Sequence, residues 1–270
     1  MQATLTRDDE GVIIRSLASD CAEIGAAWRL VFYPPGARMK MHRHDMAQFS
    51  VLLSGQARET TRHGDFNSRA MLMEFKPVNF SHANEFGPDG ALLLSININP
   101  DNFCLRDFFH TQEWRLSPGA DVRQEWALLA RKIAAGGNTN EVEMETITAD
   151  LLAALMQSED KPDASQPPGW LRRAHDAIIE TDDCIEAIAR DVGVHRVHLS
   201  RSFRRYFGCS IIERRRQARL SLAIRHLAQH GALASAASYA AGFADQSHLT
   251  RTMQQQTGLT PKTLRNLFHH

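Results

Sequence analysis

Between Ile13 and about Ile98 the apolar residues come in short runs, WRLVFY at 28–33, FSVLLSG at 49–55 and ALLLSINI at 91–98, separated by Gly, Pro, Asn and Asp. Runs of this length bounded by turn formers mark successive antiparallel strands, so the first part of the chain is predicted to be an all-β sandwich or barrel. From 120 to 157 the period changes. Trp126, Leu129 and Ile133, then Met144, Ile147, Leu151, Leu152 and Leu155, recur at helical spacing on either side of Gly136-Gly137 and predict two amphipathic helices. Their apolar stripe has two readings, packing onto the β domain or forming a dimer seam, because a stripe does not say whose surface it covers. The segment 158–169, SEDKPDASQPPG, is polar and proline-rich and reads as a linker. The expected architecture is α+β and multidomain: a β-barrel over 1–118, a helical dimerisation or coupling segment over 119–157, the linker over 158–169, and an all-α domain over 170–270.

The all-α part contains an internal repeat. HLSRSFRRYFGCS, from His198 to Ser210, aligns fifty positions later with HLTRTMQQQTGLT, from His248 to Thr260; four positions are identical and four are Ser/Thr or Phe/Met exchanges. A short helical segment ending in glycine precedes each copy, 185–193 and then 234–242. Short helix, glycine turn and longer helix is the pattern that sends a second helix into the major groove of DNA. On a helical wheel Leu199, Phe203, Tyr206 and Phe207 share one side of the first copy, and Val197, Arg201, Arg204 and Arg205 the other. In the second, Leu249 and Met253 are the buried stripe, while Ser247, Arg251 and Gln254 point outward. Arg201 and Arg251 thus stand where a helix meets base edges. Each can donate two hydrogen bonds to guanine O6 and N7, worth about 1–3 kcal/mol of discrimination, and Gln246 can pair with adenine in the same bidentate way.

Between the copies, Ser210 and Glu213 have capping-box spacing, and Ile211, Ala218, Leu222 and Leu227 support one helix to about His230. Twenty residues at 1.5 Å rise make a strut about 30 Å long, near the ~34 Å spacing of successive major grooves. Arg214, Arg215, Arg216 and Arg219 on it are either phosphate contacts or a solvated surface. Charge agrees with a divided molecule. The whole chain is neutral, but residues 170–270 hold 15 Lys and Arg against 8 Asp and Glu, and the rest holds 16 against 23. A basic part suits DNA phosphates, and an acidic part does not.

The segments GVHRVHLSRSFRRYFG, 193–208, and GFADQSHLTRTMQQQTGLTPKTLR, 242–265, resemble the AraC/XylS transcription regulators, and the likeness covers the whole C-terminal domain. It implies seven helices, with base-reading positions at Arg196, Val197, Ser200 and Arg201 in the first unit and Gln246, Ser247 and Arg251 in the second. Arg204 joins them from its place on the outward face. The chain departs from the family pattern at His195, where a serine usually caps the first reading helix, at Ala234 and Ala237, which leave a smaller core, and at Leu264, where a tyrosine is usual.

Upstream, Gly36-x5-His42-x-His44-x3-Gln48-x6-Gly55 follows the first motif of cupin barrels with glutamine in place of glutamate, and Pro77-x-Asn79-x2-His82 resembles the second. His42 and His44, two apart on a strand, share a face and can meet His82 inside a barrel. Three imidazoles and the Gln48 carboxamide can ligate a divalent metal, or the same residues can line an effector pocket without one. Phe32, Tyr33, Phe49, Phe75 and Phe80 read as core that can double as a ligand cage. His63 sits in a turn and His269-His270 at a frayed end, and neither is a candidate.

The expected protein is a sequence-specific, DNA-binding transcription regulator responding to a small effector in a cupin-like barrel. It is not expected to be an enzyme. Its expected partners are promoter or operator duplex DNA, the effector, a second copy of itself and RNA polymerase. With no signal-like or membrane-spanning apolar stretch, and Cys21, Cys104, Cys184 and Cys209 scattered without C-x-x-C spacing, a cytoplasmic location without membrane partners is expected. The alternatives are a dioxygenase-like cupin metalloenzyme with a DNA-binding anchor, and a helical module whose arginines bind an acidic protein.

Overall fold

The computed structural model describes residues 2–7, 12–18, 25–99, 113–118, 122–136, 140–157 and 167–269. Nine strands form one antiparallel sheet: β1 (Gln2–Arg7), β2 (Ile13–Ala18), β3 (Ala26–Tyr33), β4 (Arg38–His42), β5 (Ala47–Thr61), β6 (Gly64–Arg69), β7 (Leu72–Lys76), β8 (His82–Ile98) and β9 (Arg115–Pro118). The two longest, β5 and β8, serve both halves of the wrapped sheet. The first part of β8 pairs with β4 and the end of β5, and the rest pairs with β3 and the start of β5. Register shifts between Leu52 and Ser54 and between Gly55 and Ala57 bend the strands at the crossing. Gly55 is required there: at φ +89°, a Cβ on it would lie 2.2 Å from the Gly90 carbonyl oxygen.

The alternation along the strands is inverted relative to a filled barrel. Trp28, Leu30 and Phe32 of β3, Phe49, Val51 and Leu53 of β5, and Met73 and Phe75 of β7 belong to a core on the outer face of the wall. Their neighbours Arg29, Val31 and Tyr33, Gln48, Ser50 and Leu52, and Leu72, Glu74 and Lys76 line the lumen. Among the sequence-expected aromatics, Phe32, Phe49 and Phe75 are therefore core, whereas Tyr33 faces the lumen, stacked on Phe86 at 3.9 Å.

That outer core is completed by α1 (Arg123–Ala135) and α2 (Glu141–Gln157). Trp126, Leu129, Ile133, Met144 and Leu151 are fully buried within the chain, each burial contributing about 1.5–3 kcal/mol, so these residues of the amphipathic stripe are covered by the chain itself. Trp28 Nε1 donates to Thr148 Oγ1 at 2.9 Å, pinning α2 to β3. The side chain of Leu155, Gly137, Cys21, Cys104, His270 and most of the linker lie outside the described residues; Cys184 and Cys209 form no disulfide among the described residues.

Seven helices follow: α3 (Gly169–Glu180), α4 (Ile185–Asp191), α5 (Arg196–Phe207), α6 (Ile211–His230), α7 (Ala234–Ala240), α8 (Gln246–Thr257) and α9 (Pro261–His269). The capping box closes as expected: Ser210 N–H donates to Glu213 Oε2 at 2.8 Å, and Glu213 N–H to Ser210 Oγ at 3.2 Å. No helix among the described residues is long and apolar enough to cross a membrane.

The chain divides into two compact units, Lys161–Arg219, and Met1–Asp160 together with Leu220–His270. One division falls at Asp160/Lys161, within the segment expected to be a linker, and a second falls inside α6. Within the larger unit, Leu249, Met253, Leu259, Leu264 and Phe268 join the same core as Trp126 and Leu129. The alanines at 234, 237 and 241 give the second unit little apolar volume of its own, and α8, packed on α1 and β5, supplies the rest. The smaller unit keeps a separate core of Leu171, Ile178, Ile188, Leu199, Phe203 and Ile211. His269, expected at a frayed end, instead has its Nε2 2.8 Å from the Ala228 carbonyl oxygen.

Candidate DNA-reading helices and barrel lumen

Both repeat copies fold into the same local object. α4 and α7 are seven residues each, and each is followed by a glycine at positive φ, Gly193 at +77° and Gly242 at +69°. The turn then leads into a twelve-residue helix, α5 or α8. Each of these ends in a left-handed glycine, Gly208 or Gly258, whose N–H donates to the Arg204 or Gln254 carbonyl. Leu199 and Phe203 in one copy, and Leu249 and Met253 in the other, are completely buried. That fixes the opposite face in solvent: Arg196, Val197, Ser200, Arg201 and Arg204 of α5, and Gln246, Ser247 and Arg251 of α8, are all exposed. Arg196 is tethered at 3.4 Å to Glu186 of α4.

The start of α8 is capped by Asp245, whose Oδ1 accepts the His248 N–H at 2.7 Å. The start of α5 is capped by the residue that departs from the family pattern. His195 Nδ1 accepts the Val197 N–H at 3.3 Å, which places the ring proton on Nε2.

The arginines of α6 are not a phosphate-facing stripe. Arg214 is buried and its Nε donates to His175 Nε2 at 3.1 Å. Arg215 braces the turn after α3, donating to the carbonyls of Ile178 and Asp183, and Arg219 pairs with Asp182 at 3.0 Å. Arg214 and Arg215 are thus taken up in structural bracing, whereas Arg216 and Arg219 remain exposed, Arg219 in a surface pair.

In the barrel, His42 ends β4, His44 follows it, and His82 begins β8 opposite His42. A ligating atom from each lies within 4.8 Å of the others. Asn79, held at φ +61°, donates its N–H to the His44 carbonyl at 2.9 Å and thereby fastens the two histidine motifs together. His42 Nδ1 sits 2.8 Å from the Lys40 carbonyl and His82 Nδ1 3.3 Å from that of Phe80. A carbonyl accepts only, so both rings carry the proton on Nδ1 and turn a lone pair on Nε2 toward the cluster. His42 Nε2 is buried without a hydrogen-bond partner. Burial, with help from His42 and Lys76, pulls His44 down to about 4; burial, Lys76 and His42 pull His82 down to about 3. Gln48 lines the same cavity and its Nε2 donates to Asn97 Oδ1 at 3.1 Å.

The lumen also holds charges that the sequence reading missed. Lys76 Nζ donates to Glu74 Oε2 at 2.6 Å and lies 3.2 Å from Glu59 Oε1, with all three side chains buried. Burial alone would pull the ammonium down, but Glu74 and Glu59 outweigh it and hold Lys76 above its usual value. Burial and the neighbouring Glu74 push Glu59 up to about 8. Trp114 Nε1 donates to Glu74 Oε1 at 2.9 Å. The available signal was period two: in LMEFK, 72–76, the two charges alternate with Met73 and Phe75 inside an apolar strand, so they must share the face opposite the core.

Two helix-turn-helix units with exposed reading helices, attached to a β domain, define a DNA-binding regulator. Residues 188–267 match the family described as a helix-turn-helix domain, so this part of the chain is a helix-turn-helix domain. No curated protein matches the chain. Among solved structures the chain is similar to ToxT from Vibrio cholerae, 11% identical over 90% of this chain and 99% of that one at a TM-score of 0.38. An apo form of ToxT from Vibrio cholerae strain SCE256 gives 12% identity, 93% and 100% coverage and a TM-score of 0.41. The barrel region is similar to oxalate decarboxylase from Bacillus subtilis, 20% identical over 37% of this chain and 28% of that one at a TM-score of 0.33.

Proposed function

We propose that the chain is a transcription regulator in which α5 and α8 read bases in duplex DNA and the barrel lumen takes a small effector. The repeated, capped helix-turn-helix unit with its basic and amide side chains in solvent carries this reading. Arg201 and Arg251 each donate a bidentate pair to a guanine, and Gln246 does so to an adenine. Arg196, Val197, Ser200, Arg204 and Ser247 complete the two reading faces. The effector acts by binding one arrangement of the chain better than another. Its route out of the barrel is α6, whose Ser221 hydroxyl accepts the Gly55 N–H at 2.9 Å and whose Arg225 donates to the Pro88 carbonyl at 2.9 Å. A homodimer on paired sites and contact with RNA polymerase belong to the same proposal. Selection of bound fragments from random duplex DNA tests it: one enriched motif is expected, and recovery without sequence preference contradicts it.

His42, His44 and His82 would hold a divalent metal. The fit rests on three imidazoles whose ligating atoms lie within 4.8 Å of one another and on the orphaned, buried His42 Nε2. Such an ion would supply Lewis acidity and ligand positions to whatever the lumen binds. The cluster also favours a second reading, a cupin metalloenzyme with a DNA-binding anchor. Stoichiometric metal by elemental analysis, lost in His82→Ala, is expected under both; dioxygen consumption by the iron-loaded chain is expected only under the second.

A further inference from the structure

We infer that a groove between β1, β2, α1 and α9 binds a phosphate monoester, its phosphate held by Arg15 and Lys262 and its apolar body by Leu5 and Leu267. The groove shares no lining residue with the barrel lumen, and the inference does not depend on an effector there.

Strand alternation makes Arg15 the anomaly. Ile13, Arg15 and Leu17 share one face of β2, and its two neighbours on that face are buried members of the outer core. Across the sheet Arg15 stands between Leu30 of β3 and Leu5 of β1. An arginine on such a face ordinarily lays its stem on the apolar surface and carries its polar end out to water. Here the Nε is buried and has no hydrogen-bond partner. A buried N–H left unpaired costs its desolvation, and the fold recovers nothing from it. An oxyanion does answer it, because the guanidinium fork donates side by side to two oxygens of one ligand.

The rest of the groove sets what carries the oxyanion. Lys262, exposed in the first turn of α9, is the second cation on the lining, and no acidic side chain lines the groove among the described residues. A phosphate monoester carries about −1.5 to −2 at neutral pH and offers three acceptor oxygens, which matches two cations; a carboxylate supplies about half that charge. Asn266, one turn along α9 from Lys262, adds amide donors. Leu5, Ala134 and Leu267 form the apolar part of the lining, and Leu5 is one of the large apolar side chains left exposed. The groove holds about 430 Å³, well above the roughly 150 Å³ that takes a benzene, so an organic body fits beside the phosphate. Because α9 packs on α1 and α8, a ligand here touches both the barrel and the second helix-turn-helix unit.

Calorimetric titration of the full chain with phenyl phosphate, phenol, benzoate and inorganic phosphate tests the inference. Phenyl phosphate is expected to bind at least tenfold more tightly than phenol, and at least threefold more tightly than benzoate or inorganic phosphate. Its affinity should fall at least tenfold in Arg15→Met, which keeps an unbranched apolar stem on the core, and at least threefold in Lys262→Gln, whose exposed side chain is exchanged without disturbing the fold. If Arg15→Met does not fold, Lys262→Gln decides. No binding of phenyl phosphate, binding of benzoate or inorganic phosphate as tight as that of phenyl phosphate, or phenyl phosphate binding unchanged in Lys262→Gln overturns the inference. Failure to bind phenyl phosphate combined with weaker binding of every duplex by Lys262→Gln also overturns it and makes the groove a contact for DNA phosphates. A chain that selects DNA but does not bind phenyl phosphate fails this inference alone, whereas one that binds it but shows no DNA preference fails the regulator reading alone.

Discussion

The two helix-turn-helix units share a local plan and differ in what supports it. The first, α4 and α5, stands on a small core of its own in which Phe203 is the largest fully buried side chain. The second, α7 and α8, is built into the core that also holds the barrel wall, α1 and α2. At its closest point the left-handed Gly258 approaches so near to α1 that a Cβ there would sit 2.0 Å from the Ala127 carbonyl oxygen. One duplicated pattern has therefore become an independently supported unit and an embedded one. Identical secondary structure does not imply identical stability, because the apolar face of a helix is stabilised by whatever covers it.

The largest effect that sharpens this contrast is expected from Phe203→Ala. Deleting a fully buried Phe costs about 3–5 kcal/mol, a large share of what so small a core provides. Hydrogen exchange should show α3 to α5 opening while β3, β5, α1 and α8 keep their protection; loss of protection throughout would show that the smaller unit has no core of its own. Gly258→Ala should follow, at about 3 kcal/mol or more of thermal destabilisation, and its effect should reach α1. Gly193→Ala has open space around the new methyl and carries only left-handed strain, about 1–2 kcal/mol. Equal costs for the two would remove the claim of close packing on α1. The smallest change concerns the caps. His195→Asp gives α5 the kind of cap α8 has and should raise the melting temperature of the smaller unit by the equivalent of about 0.5–1 kcal/mol. A decrease would mean that the imidazole is not acting as the cap.

Most of the local structure was legible in the sequence, for physical reasons. The capping box at Ser210 and Glu213, the glycine turns and the buried Leu-Phe and Leu-Met stripes depend on neighbours within one or two turns, and such interactions are written in spacing. The histidine motifs were legible from their spacing, but not for the reason expected of them: His44 lies beyond the end of β4, so strand alternation does not pair it with His42, and the Asn79 N–H on the His44 carbonyl holds it in the cluster instead. What was not legible depends on distant partners. The sequence does not show that α8 completes its core on α1, or that Arg214 and Arg215 are taken up by His175 and the backbone of Ile178 and Asp183. Glu74 and Lys76 went unnoticed because they alternate with apolar residues in one strand, and Glu59 because it stands among polar ones; only the fold, in which the start of β5 pairs with β7 and its end with β6 and β8, makes one buried triad of them.

The account stands on both units reading bases in spite of their different supports. The direct measurement is base preference at every position of the selected DNA site for the wild type, Arg201→Ala and Arg251→Ala. Each variant is expected to lose about 1–3 kcal/mol of discrimination at its own position, with preferences elsewhere kept. A uniform loss of affinity over all sequences in both variants, with every base preference intact, would contradict it.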